Sequence, residues 1–489
     1  MSRFSEAGSE PAMTPRSLEG IEGTTYLPTT STVDIPLALR EPLADPTADL
    51  RARMHRNGQW GPHQMAGRRW PVACVSLEIT QRCNLDCSLC YLSESAEAVR
   101  DFPLEEVFRR IELIVQHFGP GTDVQVSGGE PTLRRRDELV AIVRRLSERG
   151  LRSSLFTNGI KASHGLLQEL CDAGLTDVAF HVDTTQQRAG YADERALNHL
   201  RDEYIERTRG LPLSVFFNTT VHAGNFDQVP MLAAYFAAHA DVVRMASFQL
   251  QADTGRGVLG ARAGMIDNSS VAQHLRRGVG GPLSFNVLAA GHHTCNQLAV
   301  MLVVNGRAID VLADTAFVQR FMRETATLRI DRGTPWRGLR SLIMAAVRRP
   351  ALCGAALRWA LGLAWEARRD LLAARGRVHK LSFVTHNFMD AGQLDAGRLD
   401  ACVFMAMTQD GPLSMCAYNA RRDSYLLRPL QTAAGTWQPL RPLPRETAVP
   451  IKWLKGRSRG AALRQAAAAV VPDGVVDGAA DAGMRGGGA

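Results

Sequence analysis

Short apolar, β-branched runs at residues 75–79, 123–127, 152–157, 177–182, 213–221 and 242–249 alternate with amphipathic helical stretches such as 104–118 and 137–149. No other feature of the chain narrows its fold so far. Strands that follow one another through intervening helices lie parallel, with right-handed crossovers. Six strand–helix units are too few to close an eight-stranded barrel. They suit an α/β fold: a partial (βα)6 barrel of parallel strands, open on one side, with chemistry at the carboxyl ends of the strands.

The rest of the 489 residues divides around that rhythm. Residues 1–70 read as an N-terminal extension, partly disordered, whose first 45 residues are rich in Ser, Thr, Pro and Gly. Residues 71–285 carry the barrel, 286–450 a C-terminal α+β region, and 451–489 a Gly/Ala-rich, mostly disordered tail. The formal net charge is +8, yet no block of consecutive Lys and Arg resembles a nucleic-acid arm. No nucleic-acid partner is therefore expected, and a solvated basic surface accounts for the charge. Residues 1–20 lack the apolar core of a secretory signal. No apolar run reaches the roughly 18 residues that read as a membrane-spanning helix. Nine cysteines, an odd number in a long chain, then suggest a reducing, cytoplasmic setting where clustered thiols serve metals more often than disulfides.

The densest chemistry follows the first expected strand: Glu78-Ile79-Thr80-Gln81-Arg82-Cys83-Asn84-Leu85-Asp86-Cys87-Ser88-Leu89-Cys90-Tyr91. Three cysteines on one short loop can turn three thiolates toward one iron–sulfur cubane and leave one iron open. A structural cluster normally takes four cysteines, and an open position marks a metal that does chemistry. A zinc knuckle or structural cluster is the competing reading of these cysteines. At the end of the second expected strand stands Ser127-Gly128-Gly129-Glu130-Pro131. Paired glycines let backbone approach a ligand closely, and Glu130 offers a carboxylate to an ammonium.

Together these segments resemble the radical S-adenosylmethionine (SAM) superfamily. The resemblance implies that Cys83, Cys87 and Cys90 hold a 4Fe-4S cluster whose open iron is chelated by S-adenosyl-L-methionine. It implies that Gly128, Gly129, Glu130 and Pro131 meet the methionyl amine and that Tyr91 lies by the adenine. It also implies reductive cleavage of SAM to a 5′-deoxyadenosyl radical, with a reductant such as flavodoxin or ferredoxin. Asn158 in Thr157-Asn158-Gly159, Asp183 in His181-Val182-Asp183, and Asn218 stand at or near later strand ends, where polar groups suit ribose and carboxylate recognition. Capping and turn roles compete at each.

Three further cysteines lie toward the C-terminus. Cys402 and Cys416 flank Asp410-Gly411-Pro412, a hairpin-like turn able to bring two thiolates together, and Cys295 follows His292-His293-Thr294. They are candidate ligands of an auxiliary Fe-S cluster, against the alternative of buried free thiols. With Ser247-Phe248-Gln249, Thr254-Gly255-Arg256 and Thr385-His386-Asn387-Phe388-Met389-Asp390, these segments resemble one radical SAM subgroup over about residues 72–420. That subgroup contains the archaeal tetraether lipid synthase and proteins once described as pterin methyltransferases. Two departures stand out: no cysteine precedes Cys74, so the rubredoxin-like site of some members is expected to be absent, and Met405 stands where members often have His. Cys74, Cys171 and Cys353 are expected to be core thiols.

Residues 335–378 set Arg among Leu and Ala, with Trp336, Trp359 and Trp365. Such a helix can lie on a membrane surface, or pack on the barrel with a solvated Arg face. The leading functional expectation is an enzyme that abstracts hydrogen from an unactivated carbon, first of a lipid chain, for C–C coupling or a related modification. Modification or methylation of a peptide or pterin-like small molecule is the alternative. A non-catalytic Fe-S electron-transfer protein is the alternative of another class.

Overall fold

The computed structural model describes residue 39, residues 41–93, 95–256 and 266–326, residues 340, 343 and 344, and residues 347–440. A helix, α1 (Pro46–Arg56), comes first. Six strands follow: β1 (Cys74–Thr80), β2 (Asp123–Gly128), β3 (Arg152–Thr157), β4 (Leu175–His181), β5 (Ser214–Val221) and β6 (Val243–Leu250). Each is parallel to the next. Helices α2 (Leu104–Phe118), α3 (Arg136–Glu148), α4 (His164–Asp172), α5 (Asn198–Thr208) and α6 (Val229–Ala238) supply one crossover each. α7 (Asn268–Val279) packs closely on α6, where Gly278 meets the Pro230 carbonyl. The six strands and their crossovers are those expected from the periodicity.

Alternation along each strand explains the layers. On β1, Val75, Leu77 and Ile79 join the main core beneath the helices, while Ser76 and Glu78 face the barrel interior. On β2, Val124 and Val126 face outward and Gln125 and Ser127 inward. The inward hydroxyls of Ser76 and Ser127 meet at 2.7 Å, tying the two strands in register.

The C-terminal region is woven into the same sheet. Strands β7 (Asn296–Val304), β8 (Arg307–Asp310), β9 (His379–His386), β10 (Phe404–Thr408) and β11 (Gly411–Ser414) complete the order β11-β10-β1-β2-β3-β4-β5-β6-β9-β7-β8. β9 runs parallel to β6 and β10 parallel to β1, so these two strands extend the barrel at both flanks. β8 and β11 are the two edges, and the sheet stays open. The Asp410-Gly411 turn does form a hairpin, between β10 and β11.

Part of the expected N-terminal extension is ordered. Asp45 caps α1 by accepting from the Ala48 amide at 2.9 Å, and Pro46 occupies the first turn. Leu50 and Met54 bury against Ala401 and Val403. Residues 1–38 and 441–489, to which most of the expected disorder belongs, lie outside the described residues, as do Trp336 and Arg337.

One buried ion pair braces the turn after β4. Neither Arg201 nor Glu194 is exposed. Arg201 donates to the Val182 and Glu194 carbonyls at 2.8 Å each, and Glu194 accepts from the Thr184 amide at 3.0 Å and from Asn225 at 2.8 Å. Removing one partner of such a pair strands the other charge. Glu194→Ala is expected to cost about 3–5 kcal/mol, read as a lowered urea midpoint. An unchanged midpoint would contradict the bracing role.

Candidate functional site

The carboxyl ends of the parallel strands gather around a cavity of about 230 Å³. Cys83, Cys87 and Cys90, on the loop leaving β1, all line it. Burial, then the sulfurs of Cys90 and Cys83, push the Cys87 thiol well up. Such mutual influence means the three sulfurs share one neighbourhood.

Two glycines let the surrounding backbone close on this loop. Gly128 ends β2 at φ +131°, and a Cβ there would sit 2.0 Å from the Thr80 carbonyl oxygen. Gly255, after β6, has φ +77°, and a Cβ there would meet the Tyr91 carbonyl carbon at 2.3 Å. Any side chain would force the strand end away from the loop. Next to Gly255, the Arg256 amide donates to the Leu92 carbonyl at 2.7 Å. The Arg256 side chain is buried beside the loop, and its Nε has no hydrogen-bond partner among the described residues. Burial disfavours its charge, but Cys90, Glu97, Asp86 and Cys83 outweigh burial and hold the guanidinium protonated. A buried cation here favours thiolates and an anionic group bound to them.

Tyr91, Gly128, Gly129, Asn158 and Asn218 stand on the same cavity wall as the three cysteines. The Tyr91 hydroxyl donates to the Gly128 carbonyl at 2.6 Å, and Asn158 Nδ2 donates to Asn84 at 2.7 Å. Glu130, Pro131 and Asp183 are not on the wall. The Glu130 carboxylate, expected from the sequence to meet a ligand ammonium, is turned toward protein donors. The carboxylate is fully buried and accepts from the Thr132 amide at 3.0 Å, the Thr157 hydroxyl at 2.7 Å and the Asn158 amide at 2.7 Å. Those donors hold it behind the Gly128–Gly129 turn, where it joins the end of β2 to the end of β3. Asp183 likewise sits behind His181, which does line the cavity, at 2.7 Å.

Several wall and floor residues carried no sequence signal of their own. Glu78 accepts from Tyr418 and Gln81 at 2.8 Å each and pairs with Arg422. The Arg422 guanidinium lies over the rings of both Tyr91 and Tyr418, 4.7 and 4.6 Å from their centroids. A Glu inside a largely apolar strand was the one available hint. Thr220 also reaches the wall, as does Gln249 of the Ser247-Phe248-Gln249 segment.

Cys295, Cys402 and Cys416 share a second, smaller cavity with His292 and His386. Arg398 Nε donates to the Cys295 sulfur at 3.2 Å and the Met389 amide to the Cys416 sulfur at 3.5 Å. Burial and the nearby Cys402 push the Cys416 thiol up to about 12. Its volume of about 20 Å³ holds one water rather than a cubane. Among the described residues, no three His, Cys, Asp or Glu side chains close on a single ion. Thiolates of a cubane sit on different irons and need a wider spacing than one ion does. Phe388 and Met415 line both cavities and form the partition between them. Of the remaining cysteines, Cys74 is buried, Cys171 half-buried and Cys353 exposed, so the core-thiol expectation is corrected for Cys353.

Burial disfavours the Asp183 carboxylate, but the charge and hydrogen bond of His181, with donors from Thr185 and Thr220, hold it well below its usual range. A depressed carboxyl pKa adds stability above the unfolded value of about 3.9 and loses it as the pH falls toward the folded value. Asp183→Asn is expected to cost about 1.5–3 kcal/mol near neutrality, with the gap from wild type narrowing below about pH 4. Urea midpoints across that range check the sign; a gap that widens on acidification contradicts it.

Residues 77–229 match the family described as the Radical SAM superfamily. Over 189 residues the chain is 30% identical to a 7,8-dihydro-6-hydroxymethylpterin dimethyltransferase of Methanocaldococcus jannaschii, covering 37% of each chain. Over 177 residues it is 32% identical to a PqqA peptide cyclase of Methylobacterium nodulans, covering 33% of this chain and 42% of that one. The matches thus span about two fifths of these curated relatives. Among solved structures, Streptococcus suis SuiB bound to its precursor peptide SuiA is similar with a TM-score of 0.32 at 15% identity, over 47% of this chain and 48% of that one. No helix among the described residues is long and apolar enough to cross a membrane. The segment holding the cysteine loop and the Gly128–Gly129 strand end is a radical SAM domain.

Proposed function

We propose that the protein is a radical SAM enzyme that modifies a peptide or a pterin-like small molecule. One observation carries the reading: the three-cysteine loop, the Gly128–Gly129 edge and the polar ends of the later strands meet on a single cavity. The residues present suit the implied cofactors. Three thiols converge, a buried guanidinium nitrogen beside them is unpartnered among the described residues, and the cradle leaves no room for a Cβ. When bound, a 4Fe-4S cluster on Cys83, Cys87 and Cys90 together with SAM supplies a 5′-deoxyadenosyl radical able to take hydrogen from an unactivated carbon.

The chain's own residues position and enclose. Gly128 and Gly129 admit a ligand against bare backbone. Asn158 and Asn218 offer amides, Arg256 offsets thiolate charge, and Leu89, Phe388 and Met415 keep part of the wall apolar. His181, Asn218, Thr220 and Gln249 favour a polar substrate. A hydrocarbon chain laid there offers the Asn218 and Gln249 amides no hydrogen-bond partner, at about 1–3 kcal/mol each. The names of the two curated relatives, a pterin dimethyltransferase and a peptide cyclase, support this class over the lipid chain expected from the sequence. Cys295, Cys402 and Cys416 belong to the proposal as ligands of an auxiliary cluster, which requires Phe388 or Met415 to give way. Flavodoxin or ferredoxin belongs to it as the reductant.

After anaerobic reconstitution with iron and sulfide, and with a flavodoxin reductant, the wild type is expected to form 5′-deoxyadenosine from SAM. The combined Cys83→Ala, Cys87→Ala and Cys90→Ala variant is expected to lose about four irons per chain and all of that product. Retained product rejects the site. The combined Cys295→Ala, Cys402→Ala and Cys416→Ala variant is expected to lose a further cluster's iron, and unchanged iron rejects the auxiliary site. A reduced pterin or a peptide is expected to raise turnover about tenfold, and a larger rise with phospholipid overturns the substrate class.

A further inference from the structure

Eight of the eleven strongly exposed large apolar side chains among the described residues lie between residues 343 and 378. Most belong to or flank α9 (Pro350–Glu366), which follows α8 (Thr315–Glu324). α9 is apolar on both faces. Its inner face packs: Leu352 is buried, Trp359 stacks on Phe317 of α8 at 5.2 Å, and Trp359 Nε1 donates to the Val311 carbonyl at 3.3 Å. Among the described residues, none packs against its outer face. Leu357, Leu361 and Trp365, spaced by four along one face, are 59%, 60% and 69% exposed, and Leu372 just beyond is 81% exposed. A helix apolar all round is normally buried all round.

The charge around this stripe names its occupant. Residues 347–378 contain seven arginines and two acids, Glu366 and Asp370. Both acids are engaged from beneath by Arg307, at 3.0 and 3.1 Å. Arg368 lies over the Trp365 ring at 4.3 Å, so cation and aromatic face stand together at the rim. Apolar residues flanked by arginines that form no ion pair among the described residues suit the interface of an anionic bilayer, where each Arg adds about 1 kcal/mol. A two-fold contact with a second copy would set the same arginines against one another. No described helix can cross the bilayer, so the contact is a surface one.

We propose that α9 and the residues flanking it dock the protein on an anionic membrane surface, with Leu357, Leu361, Trp365 and Leu372 in the interface and Arg348, Arg358 and Arg369 toward lipid headgroups. This is independent of the chemistry at the cysteine loop.

The test is co-sedimentation of the full chain with vesicles of equimolar phosphatidylcholine and phosphatidylglycerol, against pure phosphatidylcholine. The wild type is expected to bind the anionic vesicles, more weakly as salt rises. Leu361→Gln with Trp365→Gln is expected to lower partitioning at least about tenfold, as is the combined Arg348→Gln, Arg358→Gln and Arg369→Gln variant. Both variants change exposed side chains, so unchanged thermal midpoints and unchanged 5′-deoxyadenosine formation without vesicles are expected. Absence of wild-type binding, or binding that neither variant weakens, overturns the proposal. A concentration-dependent dimer abolished by Leu361→Gln with Trp365→Gln also overturns it, because a second copy then covers the stripe. Loss of SAM cleavage in wild type with vesicle binding intact counts against the enzymatic reading alone.

Discussion

Backbone meets backbone where β2 ends against the base of the cysteine loop, and the site depends on that contact. With no Cβ at Gly128, the Gly129 amide reaches the Thr80 carbonyl at 2.9 Å and the Glu130 amide reaches the Arg82 carbonyl at 2.8 Å. Those bonds pin the loop before its first cysteine. Glu130, carried past the turn, then gathers donors from Thr132, Thr157 and Asn158 and so fixes the end of β3. Gly255 repeats the close approach on the opposite flank and delivers Arg256 to the same loop. The loop is thus held between two glycine contacts with a buried cation at its side, an arrangement that places charge before any ligand arrives.

The C-terminal region completes the barrel through a polar contact in its interior. Glu78 on β1 and Arg422 form a buried ion pair, with Tyr418 and Gln81 filling the remaining carboxylate sites. A buried pair gives little net stability unless its hydrogen bonds are satisfied. Here they largely are, and the pair acts as a locator. It sets the short helix Met415–Ala420 beneath the cavity and stacks Arg422 against Tyr91, next to the last cysteine of the loop. The same helix brings Met415 and Cys416 to the second cavity, so one element shapes both chambers.

The two faces of the molecule obey opposite rules. Inside the barrel, Ser76, Glu78, Gln125, Ser127 and Asn218 form a polar lining where a core would ordinarily be apolar. Outside, α9 leaves an apolar stripe where a surface would ordinarily be polar. Both break the usual burial pattern, and such breaks concentrate where a protein meets something other than itself.

Much of the frame was legible in the residues because its signals are local. Short apolar, β-branched runs marked β1 to β6, amphipathic stretches marked α2 and α3, and Asp410-Gly411 marked the hairpin of β10 and β11. The cysteine spacing and the glycine pair were legible for the same reason, since each motif occupies a few consecutive positions. Other facts depend on partners far along the chain. That Glu130 turns inward follows from Thr157 and Asn158 on the next strand end. That β9 joins β6 while β10 joins β1 follows from sheet pairing with no sequence mark. The role of Glu78 follows from Arg422, 344 positions away. Periodicity records which face of an element is apolar; only the folded chain decides which distant residue stands opposite each polar group, because that depends on strand order and on the satisfaction of buried hydrogen bonds.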